Sequence, residues 1–146
     1  MTNIRQAKTE DLARIAEIEI FNYRLNFYPI FQSDWFFFEE LQVPKYIEKY
    51  KDALDSMWVY DDGVVKGFIW VESGEARKLF VEPIFQGQSI GAELLTYAIT
   101  ERDVKFLWAL EKNVKAIAFY KRHGFHLTDE KKLEEGTTEY LVRLER

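Results

Sequence analysis

The chain contains no cysteine. Disulfides, thiolate nucleophiles and cysteine-ligated metal sites are therefore excluded. It has only three prolines, Pro29, Pro44 and Pro83, and each falls at a natural break in the pattern. No apolar run reaches the length of a membrane span. Met1 leads into the polar stretch Thr2-Asn3-Ile4-Arg5-Gln6 and not into a charged-then-apolar leader. The expectation is a soluble, cytoplasmic protein. Lysine and arginine form no basic stripe, and the net charge is −5. Phosphate neutralisation needs clustered cations, so nucleic-acid binding is not expected. The two histidines, His123 and His126, have no carboxylate at ligand spacing, and no metal is expected.

What is present is apolar material: 47% of the 146 residues are hydrophobic and 16% are aromatic. That suffices for one domain, residues 1–146, with its own core and no staples. A mild acidic balance suits a cationic partner such as an amine. Repeats, linkers and low-complexity tracts are absent.

The pattern predicts a short strand at 3–6. A helix capped by Thr9 follows and runs to about Tyr23 on Leu12, Ile15, Ala16 and Ile18. Residues 24–41 crowd Tyr28, Phe31, Trp35, Phe36, Phe37 and Phe38 together without clear periodicity. Pro44 suits the first turn of a second helix, to about Leu54. Strands are predicted at Met57 to Tyr60, Val64 to Glu72 and Glu75 to Glu82. They are joined by turns at Asp61-Asp62-Gly63 and Ser73-Gly74. A loop from Phe85 to Gly91 opens a helix to Arg102, with Leu94, Leu95 and Ala98 on its apolar face. Val104 to Leu110 reads as a strand. Asn113 starts a helix that ends at Gly124. Strands from Phe125 to Thr128 and from Thr138 to Leu144 close the chain. The order β-α-α-β-β-β-α-β-α-β-β describes a mixed α/β (α+β) domain with a largely antiparallel central sheet.

Two segments carry chemistry. The loop Gln86-Gly87-Gln88-Ser89-Ile90-Gly91-Ala92 lies between a strand and a helix. Free N–H groups and the helix dipole favour an anion there, and small residues let a phosphate approach the backbone. It is neither a Walker A loop nor a dinucleotide Gly-x-Gly-x-x-Gly loop. Leu79-Phe80-Val81-Glu82-Pro83, followed by Gln86 through Ala92, resembles the coenzyme motif of the GNAT superfamily of N-acetyltransferases. That family writes it as Leu-x-Val-x-Pro, then Gln/Arg-x-x-Gly-x-Gly/Ala. Ser89 stands where the family usually has glycine. If the position needs a positive φ, serine is strained there. The block Asn113-Val114-Lys115-Ala116-Ile117-Ala118-Phe119-Tyr120, ending His123-Gly124-Phe125, resembles the family's second signature, Asn-x-x-Ala-x-x-Phe-Tyr-x-x-x-Gly-Phe.

The resemblance implies acetyl-CoA as cosubstrate, no metal, and a splayed strand pair that receives the coenzyme. Leu79, Phe80 and Val81 would hold the pantetheine arm as an added strand. The backbone from Gln86 through Ala92, with Gly87, Gln88, Ser89, Ile90 and Gly91, would hold the pyrophosphate. Asn113 would touch the pantetheine, with Phe119 beside it. Tyr120 would lie near the thioester sulfur. As a phenol it suits the general acid for the leaving thiolate, although its spacing also fits a packed helix-face aromatic. The base is open between Glu75, Glu72 and ordered water. Tyr28, Trp35 and their aromatic neighbours either wall the amine's pocket, where rings can meet a cation, or form core or a dimer contact. The implied reaction is acetyl transfer to a primary amine of a small molecule or peptide. A non-catalytic acyl-CoA-binding sensor of the same fold is the alternative reading. A homodimer is expected from family habit.

Overall fold

In the computed structural model, which describes residues 2–146, seven strands form one sheet in the order β1-β2-β3-β4-β5-β7-β6. They are β1 (Ile4–Gln6), β2 (Met57–Asp61), β3 (Val65–Glu72), β4 (Glu75–Val81), β5 (Phe106–Leu110), β6 (His126–Leu133) and β7 (Tyr140–Glu145). Every neighbouring pair is antiparallel except β4 and β5. That parallel pair is the one that needs a helical crossover, and α4 (Ile90–Arg102) supplies it. The expected order of strands and of the last two helices is borne out; between β1 and β2 the chain carries one helix more than the two expected.

Helices cover both faces. On one side lie α1 (Leu12–Asn22), α2 (Tyr28–Phe31) and α3 (Val43–Tyr50); on the other lie α4 and α5 (Val114–Arg122). Each face has its own core. Ile15, Ile18, Phe37, Tyr50, Met57 and Phe68 meet beneath α1 and α3. Ile69, Leu94, Leu95, Ala98, Leu107 and Leu144 meet beneath α4. A fully buried leucine of this kind contributes roughly 1.5–3 kcal/mol. Gly67 lets α4 approach the sheet. A β-carbon there would sit 2.9 Å from the Phe80 carbonyl oxygen and 3.2 Å from a Leu94 methyl carbon.

Four expectations need correction. Thr9 does not cap the first helix. Asp11 closes that turn by accepting from the Lys8 backbone N–H at 2.8 Å, while Arg5 grips the same carboxylate at 2.8 and 3.0 Å. The second long helix stops at Tyr50, short of Leu54. β6 runs on to Leu133, because a register shift between Leu127 and Lys131 lets its polar second half keep pairing with β7. The aperiodic stretch 24–41 is mostly helical. π-helical turns at Tyr23–Phe27 and Trp35–Glu40 flank α2, and their i→i+5 bonding obscures the ordinary helical period.

Candidate active site

β4 and β5 touch at one register position, Glu75 opposite Phe106. Beyond it they part, and a cleft of about 2120 Å³ opens between them and runs under the π-helical hood. Backbone geometry decides what the cleft offers. The Glu82 N–H donates to the Lys66 carbonyl at 2.9 Å. With Gly67 opposite Val81 and Phe68 opposite Phe80, the antiparallel alternation turns the polar groups of Leu79 and Val81 away from β3, toward the gap. The Val81 carbonyl is already taken by the side-chain amides of Asn22 at 2.9 Å and Gln86 at 3.1 Å. Leu79 and the Val81 N–H remain to pair with an extended guest.

The loop after β4 begins with a tight turn at Pro83–Phe85. Gly87 has φ +84°, and nothing lies within 4 Å of where its β-carbon would be, so the requirement there is purely conformational. Ser89 has φ +67° immediately before α4, and its side chain makes no cap bond. The expected strain is present, on the order of 1–2 kcal/mol for a non-glycine residue in this region. The first bond of α4 runs from Glu93 N–H to the Ser89 carbonyl at 3.0 Å. The N–H groups of Ile90, Gly91 and Ala92 are thus free at the positive end of the helix. Gly91 packs against Phe119 and Val81, and a β-carbon added at Gly91 would meet each of them at 3.7 Å.

Across the gap, Asn113 caps α5, accepting from the Ala116 N–H at 3.3 Å. Phe119 and Tyr120 follow on the same helix and line the cleft with Asn113. The Tyr120 ring packs edge-on to Phe119 at 5.4 Å and to Phe125 at 6.1 Å. Burial pushes its phenol up to about 12. It therefore keeps its proton throughout the neutral range.

Glu75 lines the cleft at its closed end, with Arg77 Nε 3.8 Å away. Glu72 binds the other side of Arg77 at 2.7 Å and lies outside the cleft lining. The aromatic run divides. Phe37 is fully buried core, and Trp35 stands at the cleft rim, 65% exposed. Tyr28 is not among the residues that line the cleft. Its hydroxyl donates to Asp34, and its ring packs on Phe37 and Phe38.

A charged cluster that local sequence reading missed forms the hood side of the cleft. Glu19 of α1 is wholly buried. It accepts from the Tyr50 hydroxyl at 2.5 Å and pairs with Lys78 of β4. Lys78 also donates to the Tyr23 hydroxyl at 3.1 Å. The ring centroids of Tyr23, Tyr46 and Tyr50 surround its ammonium at 5.5, 5.7 and 5.7 Å. Burial, and then the Glu19 charge, raise the Tyr50 phenol well above its usual value, so it remains a donor. The aromatic box that could have met a guest's cation is filled by the chain's own lysine. Lys49, 5.3 and 5.5 Å from the Tyr46 and Tyr50 ring centroids, is pushed down by burial and by the like charges of Lys78 and Arg77. The visible signal was Glu19, four residues after Ile15 on the buried stripe of α1. Its partner was hidden by the β-bulge at Arg77, where Trp70 faces Lys78 but Val71 faces Ala76. Among the described residues, no three His, Asp or Glu side chains form a metal-holding group.

The family model for the acetyltransferase (GNAT) domain matches residues 53–127. The chain belongs to the GNAT family. The match runs from just before β2 to the start of β6, and so includes β4, β5, the loop between β4 and α4, and α5, but not the hood. Peptidyl-lysine N-acetyltransferase YiaC of Escherichia coli is 34% identical over 74 residues, 49% of this chain and 51% of that protein. The curated relatives are matched over only a third to just over half of their own length. The fold is shared with solved GNAT structures. An N-acetyltransferase from Staphylococcus aureus superposes with TM-score 0.77 at 18% identity, covering 97% of this chain and 98% of that one. The PaiA N-acetyltransferase from Thermoplasma acidophilum, solved in complex with coenzyme A, gives 0.69 at 20% identity, covering 98% of both. Among the described residues no helix is long and apolar enough to cross a membrane.

Proposed function

We propose that the whole chain acts as one N-acetyltransferase domain, moving an acetyl group from acetyl-CoA directly to a primary amine of a small molecule or peptide. The observation that carries this reading is the parting of β4 from β5 beside the loop 86–91. An unpaired strand edge next to a cluster of free N–H groups suits an extended arm that ends in a pyrophosphate. The small residues Gly87, Ser89, Gly91 and Ala92 leave room for it, and the coenzyme A complex of the Thermoplasma relative supports the same ligand here.

In this reading the amine's lone pair attacks the thioester carbonyl carbon. A C–N bond forms and the C–S bond breaks. Tyr120 gives its proton to the departing thiolate, and the amine's proton leaves to Glu75 or to water. Two considerations favour Glu75 over Glu72 as the base. It lines the cleft, and its nearest cation is 3.8 Å away rather than 2.7 Å. Trp35 at the rim remains a candidate acceptor contact; Tyr28 is better assigned to the hood's own packing.

The name of the Escherichia coli relative makes peptide lysines the first acceptors to try, followed by polyamines and free amino acids. The test is release of coenzyme A thiol on mixing protein, acetyl-CoA and such a panel. Release with any amine supports the enzyme. Coenzyme binding with no release across the panel favours the sensor reading of the same fold.

A further inference from the structure

Asn22 is only 3% exposed, yet its side chain makes every hydrogen bond that an amide can make. Its Nδ2 donates to the Ile18 carbonyl at 2.8 Å and to the Val81 carbonyl at 2.9 Å. Its Oδ1 accepts from Gln86 Nε2 at 3.1 Å and from Asn26 Nδ2 at 3.3 Å. Two donors and two acceptor positions are the full capacity of the group. Gln86 in turn spends both amide protons here, the second on the Val81 carbonyl at 3.1 Å.

The position of this network matters more than its size. Val81 is the last residue of β4, and past Glu75 the strand has no β5 partner to hold its end. Gln86 is the first residue of the anion loop. Asn22, at the end of α1, ties the two together across the base of the turn Pro83–Phe85. Arg14, two turns earlier on the same helix, grips the intervening Glu82 at 2.8 and 3.2 Å and the Val65 carbonyl at 2.6 Å. The root of the loop is thus fixed from α1, outside both family signatures. A loop whose root is held loses less conformational freedom when its N–H groups close on a ligand.

We infer that Asn22 is a positioning residue for the coenzyme's pyrophosphate, acting through Gln86 and the Val81 carbonyl and touching no ligand itself. The inference rests on the acetyl-CoA reading above. It makes a demand that a general structural role does not: a ligand that reaches the loop should lose more than one that stops at the β4 edge.

The experiment is calorimetric titration of wild type, Asn22→Ala, Gln86→Ala and the double variant with two ligands, acetyl-CoA and S-acetylpantetheine. The second has the same arm and thioester but no pyrophosphate. Each single variant is expected to bind acetyl-CoA about tenfold more weakly, the scale of one or two lost hydrogen bonds. The double variant should lose little more than Asn22→Ala alone, and S-acetylpantetheine, which meets only the β4 edge, should lose at most about a third as much affinity as acetyl-CoA. If Asn22→Ala does not fold, Asn22→Leu replaces it; the near-isosteric side chain leaves no cavity and no buried charge but cannot donate to Val81 or accept from Gln86. Unchanged acetyl-CoA binding, equal loss for both ligands, or losses that multiply in the double variant would each overturn the inference. Failure of wild type to bind acetyl-CoA would instead remove the acetyltransferase reading on which it stands.

Discussion

The two sides of the cleft are built from different materials. The side formed by the β4 edge, the loop 86–91 and α5 offers backbone groups, small residues and apolar rings, and its core beneath α4 is hydrophobic throughout. The hood side carries a buried carboxylate, a lysine and two tyrosines, Tyr23 and Tyr50, joined by hydrogen bonds, with the Tyr46 ring packed against Tyr50 and the Lys78 ammonium. The first construction depends on local conformation: a strand end, a tight turn, a helix start. Such features occupy consecutive residues and leave a motif. The second depends on contacts between α1, α3 and β4, with Glu19 and Lys78 fifty-nine positions apart, and leaves no motif.

That comparison can be broken from the hood side first. Lys78→Met would leave the Glu19 charge buried and unpaired, and should cost about 3–5 kcal/mol of stability. Thermal or denaturant unfolding would read it. Adding Glu19→Leu should recover much of the loss, because an apolar pair needs no charge partner. A Lys78→Met protein as stable as wild type would show that the cluster is not held by its charges.

On the other side, Gly91→Glu should weaken acetyl-CoA binding by about 100-fold or more, since a carboxylate among the free N–H groups repels the phosphates. Gly91→Ala should stay within about threefold of wild type, because its β-carbon would meet Phe119 and Val81 at ordinary contact distance. Comparable affinities for the two variants would separate the loop from the coenzyme.

Tyr120→Phe should lower kcat by about 100-fold, the lower end for loss of a general acid, with the acetyl-CoA Kd unchanged. Because burial raises the Tyr120 pKa to about 12, the acidic form is lost only as pH climbs toward that value. The pH–rate profile should therefore show no alkaline limb from Tyr120 below about pH 10. Equal turnover in the two proteins would reduce Tyr120 to a packing residue.

The smallest effect concerns Ser89. Ser89→Gly relieves a left-handed φ but adds freedom to the unfolded chain, for a net gain of about 0.5–1 kcal/mol. A Tm rise of about 2 °C would be expected; an unchanged or lower Tm would mean the loop tolerates serine without strain.

The same contrast explains what was legible in the sequence. Leu79 through Ala92 and Asn113 through Phe125 fell on the strand, loop and helices their residues predicted, because turn chemistry and helix periodicity act over a few positions. Even the conflict at Ser89 could be read in advance. The hood could not, since π-helical turns remove the 3.6-residue period that would have ordered residues 24–41. Tyr28 and Trp35 looked equivalent as aromatics. Only the fold sends Trp35 to the cleft rim and Tyr28 onto Phe37 and Phe38. Lys78 was obscured by a single extra residue in β4. Asn22 looked like a polar helix end until the fold set it against Val81 and Gln86.

The central claim is that the parted strands and their loop receive acetyl-CoA. Calorimetric titration of the purified protein with acetyl-CoA tests it most directly. The expected result is saturable one-to-one binding with a Kd in the micromolar range, weakened about 100-fold or more by Gly91→Glu. A folded wild-type protein that takes up no heat-detectable acetyl-CoA at millimolar ligand would contradict it, and would leave the loop at Gln86 to Gly91 as a tight turn with no guest.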